Sequence, residues 1–331
     1  MIVRTGLAVV AAAFWIQAAT EEARADAIDI REWDVPYESS RPRDPFAESA
    51  NQVWFVGQGG DYLARFDTAT EAFHRVDLED GVGPHNLIVD HTGAVWFAGN
   101  RKGYIGRYDP GADEIEKIAM PDKAARDPHT LIFDGAGDIW FTVQGSNFVG
   151  KLTVSDRQVD LIAVPTKGAR PYGIVVAADG TPWVALFGTD KLASIDPDTL
   201  ALTEHDLPRE GARPRRLGIT SDGRVWYVDY ADGYLGVFDP ASESFQEWLL
   251  PSGEDASPYA MAIDAQDRIW VVETGVYPNQ FVGFDPTTQA FFSTTPVPSG
   301  GRTVRHMMYH RPSGTIWFGA DTNTIGRAVV E

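Results

Sequence analysis

Residues 84–121 read PHNLIVDHTGAVWFAGNRKGYIGRYDPGADEIEKIAMP, from Pro84 to Pro121. Apolar runs at Asn86 to Val89, Ala94 to Ala98, Tyr104 to Tyr108 and Ile115 to Ala119 are separated by turn residues. Asp109-Pro110-Gly111 is a turn because proline presets φ and glycine accepts positive φ. Short strands at this spacing predict an antiparallel unit of four strands.

The unit recurs. Trp54, Trp96, Trp140, Trp183, Trp226, Trp270 and Trp317 each precede Phe, Val or Tyr, at intervals of 42, 44, 43, 43, 44 and 47 residues. Eleven residues before each Trp stand Arg43, His85, His129, Tyr172, Arg215, Tyr259 and His306, and in the first six a proline comes just before. A period of this length with four strands marks a propeller blade. The fold class is therefore all-β, a seven-bladed β-propeller of four-stranded antiparallel blades.

The ends of the chain predict how the ring closes. IREWDVP at 30–36 aligns with FQEWLLP at 245–251, the fourth strand of the fifth repeat. It precedes the first repeat, while the last repeat stops after three strands. The N-terminal strand is expected to complete the last blade, which removes an open sheet edge. The domain reading is a leader over 1–27 and one propeller over 28–331.

The leader call rests on Arg4, the apolar stretch Gly6 to Ala19, and small-x-small sites at Ala23-Arg24-Ala25 and Ala25-Asp26-Ala27. The apolar stretch has the length of a signal peptide and is short for a membrane span. Cleavage is expected just before Asp26 or Ile28, leaving a periplasmic or secreted protein with no membrane attachment. The chain has no Cys, so disulfides supply no stability. Its net charge of −19 speaks against a nucleic-acid or anionic-membrane partner. A monomer is expected, with a small-molecule or peptide-like ligand at the channel mouth. GxSxG, Walker and HExxH motifs are absent.

Candidate site residues follow from the repeat. A propeller's first strand lines the central channel, so Arg43, His85, His129, Tyr172, Arg215, Tyr259 and His306 are expected to form a ring at one mouth. The residue three after each Trp gives a second ring: Gly57, Gly99, Val143, Leu186, Asp229, Glu273 and Ala320, with Asp321 adjacent. His306, Glu273, Asp229 and Asp321 are expected to converge, a composition suited to a divalent metal or a general acid–base pair. Against this stands the plain alternative that a wet channel is lined by polar side chains without chemistry. His205, His310, His74 and His91 are expected at structural, edge or turn positions, and Asn323 as a turn former.

At these residues the chain resembles the streptogramin B lyases (virginiamycin B lyases). The pieces that match are Pro171-Tyr172-Gly173-Ile174, Ile139-Trp140-Phe141-Thr142, Ile105-Gly106-Arg107, Ile325-Gly326-Arg327 and Thr203-Glu204. The resemblance implies a lyase that opens a cyclic depsipeptide ester by elimination and confers antibiotic resistance. A base removes the proton α to the ester carbonyl, and Mg²⁺ stabilises the enolate-like charge. It implies a catalytic His at the last blade's ring position, assigned to His306, and a catalytic acid on that blade's second strand, assigned to Asp321. Glu273 and Asp321 are then the expected ligands of the cation. Arg43, His85, His129, Tyr172, Arg215, Asp229 and Tyr259 are the expected substrate contacts. The family pattern has a His where Tyr259 stands and an acid where Val304 stands. Two alternatives stay beside the lyase: a non-catalytic ligand- or protein-binding propeller, and a lactonase-like metal hydrolase, whose propellers usually have six blades.

Overall fold

The computed structural model describes residues 27–331. Residues 1–26, which hold most of the predicted leader, lie outside the described residues. Seven four-stranded antiparallel sheets follow one another along the chain. Strand Asp29–Asp34 pairs with Thr324–Val329 and completes the sheet that contains Trp317, as the ends of the chain predicted. The two aligned tryptophans play the same part: Trp33 stacks on Trp317 at 5.8 Å and 20°, and Trp248 stacks on Trp226 at 5.6 Å and 22°.

The closure is reinforced by polar contacts between the two ends of the chain. Asn323 has a positive φ of 69°, and its Nδ2 donates to the carbonyls of Val35 and Tyr37 at 2.9 and 3.0 Å. Its Oδ1 accepts from Ser40 Oγ at 2.8 Å. It is thus a clasp as well as a turn residue. Glu32 accepts from Ser299 N at 2.6 Å and from Thr324 Oγ1 at 2.6 Å.

The repeated tryptophans are core residues between blades, none of the seven more than 5% exposed. Burying a side chain of this size contributes on the order of 1.5–3 kcal/mol. Several send the indole N–H to the residue six positions earlier, in the turn between the first two strands: Trp96 to Asp90 at 2.8 Å, Trp140 to Asp134 at 3.1 Å, Trp270 to Asp264 at 2.8 Å. The glycine of the third strand has a matching cause. A Cβ on Gly106 would fall 2.1 Å from the Phe97 ring, and one on Gly150 would fall 2.2 Å from Phe141. In these blades, and likewise for Gly236 with Tyr227 and Gly326 with Phe318, the aromatic after the Trp and the later glycine are one packing unit.

The first strands of six blades, all but that at Leu87–Val89, carry a bulge near the channel mouth. Pro128 faces Val143 and Leu131 faces Phe141, so His129 and Thr130 together oppose one residue. Equivalent shifts follow Pro171, Pro214 and Pro258. A bulge of this kind re-aims side chains and recurs beside functional sites.

Candidate functional site

The bulges set which residues share a level on the axis. In blade six Pro258 faces Glu273 and Met261 faces Val271; in blade seven Val304 faces Ala320 and Met307 faces Phe318. Val304 therefore matches Pro258, Arg305 matches Tyr259, and His306 matches Ala260. The last blade is one residue longer between its first two strands, where Arg311–Ser313 forms a short 3-10 turn. Counting eleven back from Trp317 thus stops one residue short. This corrects the placement of His306: the ring position of the last blade is Arg305, and His306 sits one level deeper.

The upper level comprises Arg43, His85, His129, Tyr172, Arg215, Tyr259 and Arg305. The His85 and His129 rings lie 3.6 Å apart, and His129 lies 4.2 Å from Tyr172. The hydroxyls of Tyr172 and Tyr259 are hydrogen-bonded to each other. The Arg215 guanidinium lies 3.4 Å from the centre of the Tyr259 ring and 4.2 Å from that of Tyr230, a cation–π arrangement. Phe187 packs with Tyr172, Tyr230 and Tyr259 behind it.

The lower level comprises Asp44, Asn86, Thr130, Gly173, Arg216, Ala260 and His306. Asp44 is its anchor, fully buried and with a positive φ of 48°. It accepts from Arg43 Nε at 2.9 Å, Asn86 Nδ2 at 3.0 Å and Arg216 Nη2 at 3.4 Å. Arg216 also donates to Thr130 Oγ1 at 3.2 Å and to the Arg305 carbonyl at 3.3 Å. Sequence reasoning passed over Asp44, Arg216 and Arg305. A usable signal was present in the two residues after each proline, which read RD, HN, HT, YG, RR and YA, with RH after Val304.

These contacts set the protonation states. Burial opposes ionisation of Asp44, but Arg43, His306 and Arg216 outweigh it and hold its carboxyl below the usual range. Burial pushes His306 down to about 3, and Arg216 pushes the same way, so the ring is neutral at pH 7. Burial and Arg43 keep His85 neutral, and burial and Arg216 keep His129 neutral. Burial raises the Tyr259 phenol, yet Arg215, Arg43, Arg216 and Arg305 together bring it down to about 7. Tyr172 moves up, through burial and the charge on Tyr259. Tyr259 is therefore the phenol that ionises, and Tyr172 the one that donates to it.

Of the second-ring acids, Glu273 and Asp229 do not join this cluster. Both oxygens of Glu273 accept from Ser252, from its N–H at 3.0 Å and its hydroxyl at 2.5 Å. Asp229 accepts from Arg213 N at 2.7 Å, Ala231 N at 3.0 Å and Arg209 Nη2 at 2.5 Å. Both acids pin the loop that enters their own blade. Asp321 is bidentate to Arg305, at 3.1 Å to Nε and 2.5 Å to Nη2. Among the described residues no three His, Asp or Glu side chains are grouped to hold a metal ion. With their oxygens already engaged, Glu273 and Asp321 do not fit as they stand the donor set of a hard cation.

Two cations, Arg41 and Arg302, line a cleft of about 700 Å³ beside Asp321 and Asn323, and neither has an ion pair among the described residues.

A model of the Virginiamycin B lyase family matches residues 12–195, more than half of the chain. The chain belongs to the virginiamycin B lyase family. No match is found among curated proteins. Among solved structures, virginiamycin B lyase from Staphylococcus aureus is 20% identical, with a TM-score of 0.83 over 92% of this chain and 100% of that chain. A streptogramin B lyase is 21% identical, with a TM-score of 0.82 over 92% of this chain and 98% of that one. YCF48 bound to D1 peptide has 13% identity and a TM-score of 0.73, over 95% and 100%. An extracellular domain from B. thetaiotaomicron has 16% identity and a TM-score of 0.72, over 93% of this chain and 43% of that chain.

Proposed function

We propose that this family member is an exported binding propeller whose mouth takes a small molecule or peptide through an anionic, carboxylate-type group. The observation that carries it is a surplus of buried positive charge with open donors. Four guanidiniums, Arg43, Arg215, Arg216 and Arg305, surround Tyr259, and two carboxylates, Asp44 and Asp321, pair with them. Arg43 Nη2 and Arg215 Nε are buried with no partner. Unpaired charge removed from water is costly, so a bound anion relieves both the charge and the orphan donors. Planar guanidinium forks suit carboxylate. Export is favoured by the leader-like composition of residues 1–27 and by the likeness to an extracellular domain.

Elimination is the second reading, favoured by Tyr259. A phenol brought to about 7 is a base at neutral pH. It would take the proton from the carbon adjacent to the ester's alkoxy carbon, α to the neighbouring amide carbonyl; the alkyl C–O bond of the ester then breaks, leaving an alkene and the ester's own acyl group as a carboxylate, with the proton on Tyr259. Arg215 and Arg305 would offset the developing negative charge. When bound, the Mg²⁺ of the family chemistry would supply a Lewis acid.

Titration calorimetry with acetate, succinate and citrate, beside a ring-opening assay on a cyclic depsipeptide with and without Mg²⁺, tests both readings. Saturable carboxylate binding that Arg215→Gln weakens at least tenfold, without ring opening, supports the first reading. Ring opening that Tyr259→Phe abolishes supports the second. Neither binding nor turnover overturns both.

A further inference from the structure

Below the level of Asp44 and Arg216 the same first strands become apolar. They enclose a space of about 220 Å³ on the propeller axis, walled by Phe46, Leu131, Ile174 and Leu217 together with Met261, Met307 and Met308. Its polar end is Asn86, Thr130, Arg216 and His306. At that end the polar groups are nearly all engaged. Arg216 uses all three nitrogens, on Thr130, Asp44 and the Arg305 carbonyl. Asn86 donates to Asp44 and accepts from Leu131 N at 2.9 Å. Thr130 Oγ1 meets Arg216 and His129. The exception is His306 Nδ1, which is buried without a partner.

We propose that this lower channel is a binding site for a small neutral amphiphile: an aryl or short alkyl group bearing one hydroxyl. The hydroxyl meets His306 Nδ1 and the apolar part lies among the methionines. The size argument is direct. An engineered apolar cavity of about 150 Å³ stays dry and binds benzene. A space of about 220 Å³ takes such a ring with a short substituent. Methionine walls adapt to an irregular guest and make favourable contacts with aromatic rings. The head is neutral for an electrostatic reason. Every nitrogen of Arg216 already donates to a protein oxygen, and the buried carboxylate of Asp44 that is paired with this guanidinium repels a second carboxylate. A neutral imidazole can accept from a hydroxyl or donate to it. The proposal is independent of anion binding at the upper level, since it uses other residues and other probes.

The test is a titration of the protein labelled with ¹³C-methyl methionine. Benzyl alcohol is the ligand, toluene removes its head, and benzoate charges it. Met261, Met307 and Met308 report on the channel, and Met120, packed at the outside of blade two, is the internal control. The expected result is a saturable shift of the three channel methyls with benzyl alcohol, at least fivefold weaker binding of toluene, and none of benzoate. Leu217→Trp, which fills the channel, should remove the shift; if that variant does not fold, the unmodified protein still decides. Absence of a saturable shift overturns the site. Equal binding of toluene and benzyl alcohol, or an equal shift at Met120, overturns it as well.

Discussion

The upper and lower halves of the channel are built from the same seven strands and differ in almost every property. The upper half is a crowded set of guanidiniums, phenols and imidazoles held by bulges, with buried donors to spare. The lower half is a narrow space with apolar walls and an unpartnered imidazole nitrogen at its polar end. Two levels of residues, six or seven ångströms of strand at about 3.3 Å per residue, separate them. The contrast shows that a bulge lets one strand meet two solvents: its first residues face a charged mouth, and its next ones resume the alternation of a packed sheet.

The sharpest way to break this comparison is to remove the anchor between the halves. Asp44→Ala strands Arg43 and Arg216 without their carboxylate, and loss of one partner from a buried ion pair costs about 3–5 kcal/mol. Chemical denaturation at pH 7 measures it. The carboxyl of Asp44 is depressed in the folded protein, so its contribution is present above the ordinary carboxylate pKa and lost as pH falls through the folded value. The gap between the parent and Asp44→Ala should therefore hold from pH 7 down to pH 5 and close only in stronger acid. Leu217→Ala, in the lower half, should cost less, about 2 kcal/mol, because its side chain already borders empty space.

A smaller effect comes from the phenol. Tyr259 is lowered to about 7, so its ionised form contributes stability that is fully present above the unfolded pKa near 10 and lost as pH falls through 7. Stability of the parent relative to Tyr259→Phe should rise between pH 7 and 10. Carboxylate affinity should fall as pH rises through about 7, because the phenolate adds a negative charge that offsets part of the surplus. An ultraviolet phenolate titration with a midpoint near 10 for every tyrosine would contradict this. The smallest effect expected is none: EDTA or added Mg²⁺ should leave the melting temperature and carboxylate affinity unchanged, since Glu273 and Asp321 already have their oxygens engaged.

Much of the fold was legible because it rests on repetition. The Trp spacing marks the blades, and the match between residues 30–36 and 245–251 marks the strand that closes the ring. The third-strand glycines were legible as a motif, though the ring that requires them was not. The site was less legible, for two reasons. Counting from Trp317 assumed a constant turn, and the 3-10 turn at Arg311–Ser313 moved the register by one, exchanging Arg305 for His306. Spacing also places Asp229 and Glu273 at the right end of the blade but is silent on their hydrogen bonds, which tie them to entering loops. The paired residues after each proline carried the second level, and a bulge is what makes both members of each pair face inward.

The central claim is that the upper level holds an anion between Arg43 and Arg215. Crystals grown with bromide, with anomalous diffraction recorded at the bromine edge, test it most directly. The account predicts an anomalous peak within hydrogen-bonding reach of Arg43 Nη2 and Arg215 Nε, lost in Arg215→Gln. Bromide found only at surface sites, with water on those two nitrogens, would contradict it.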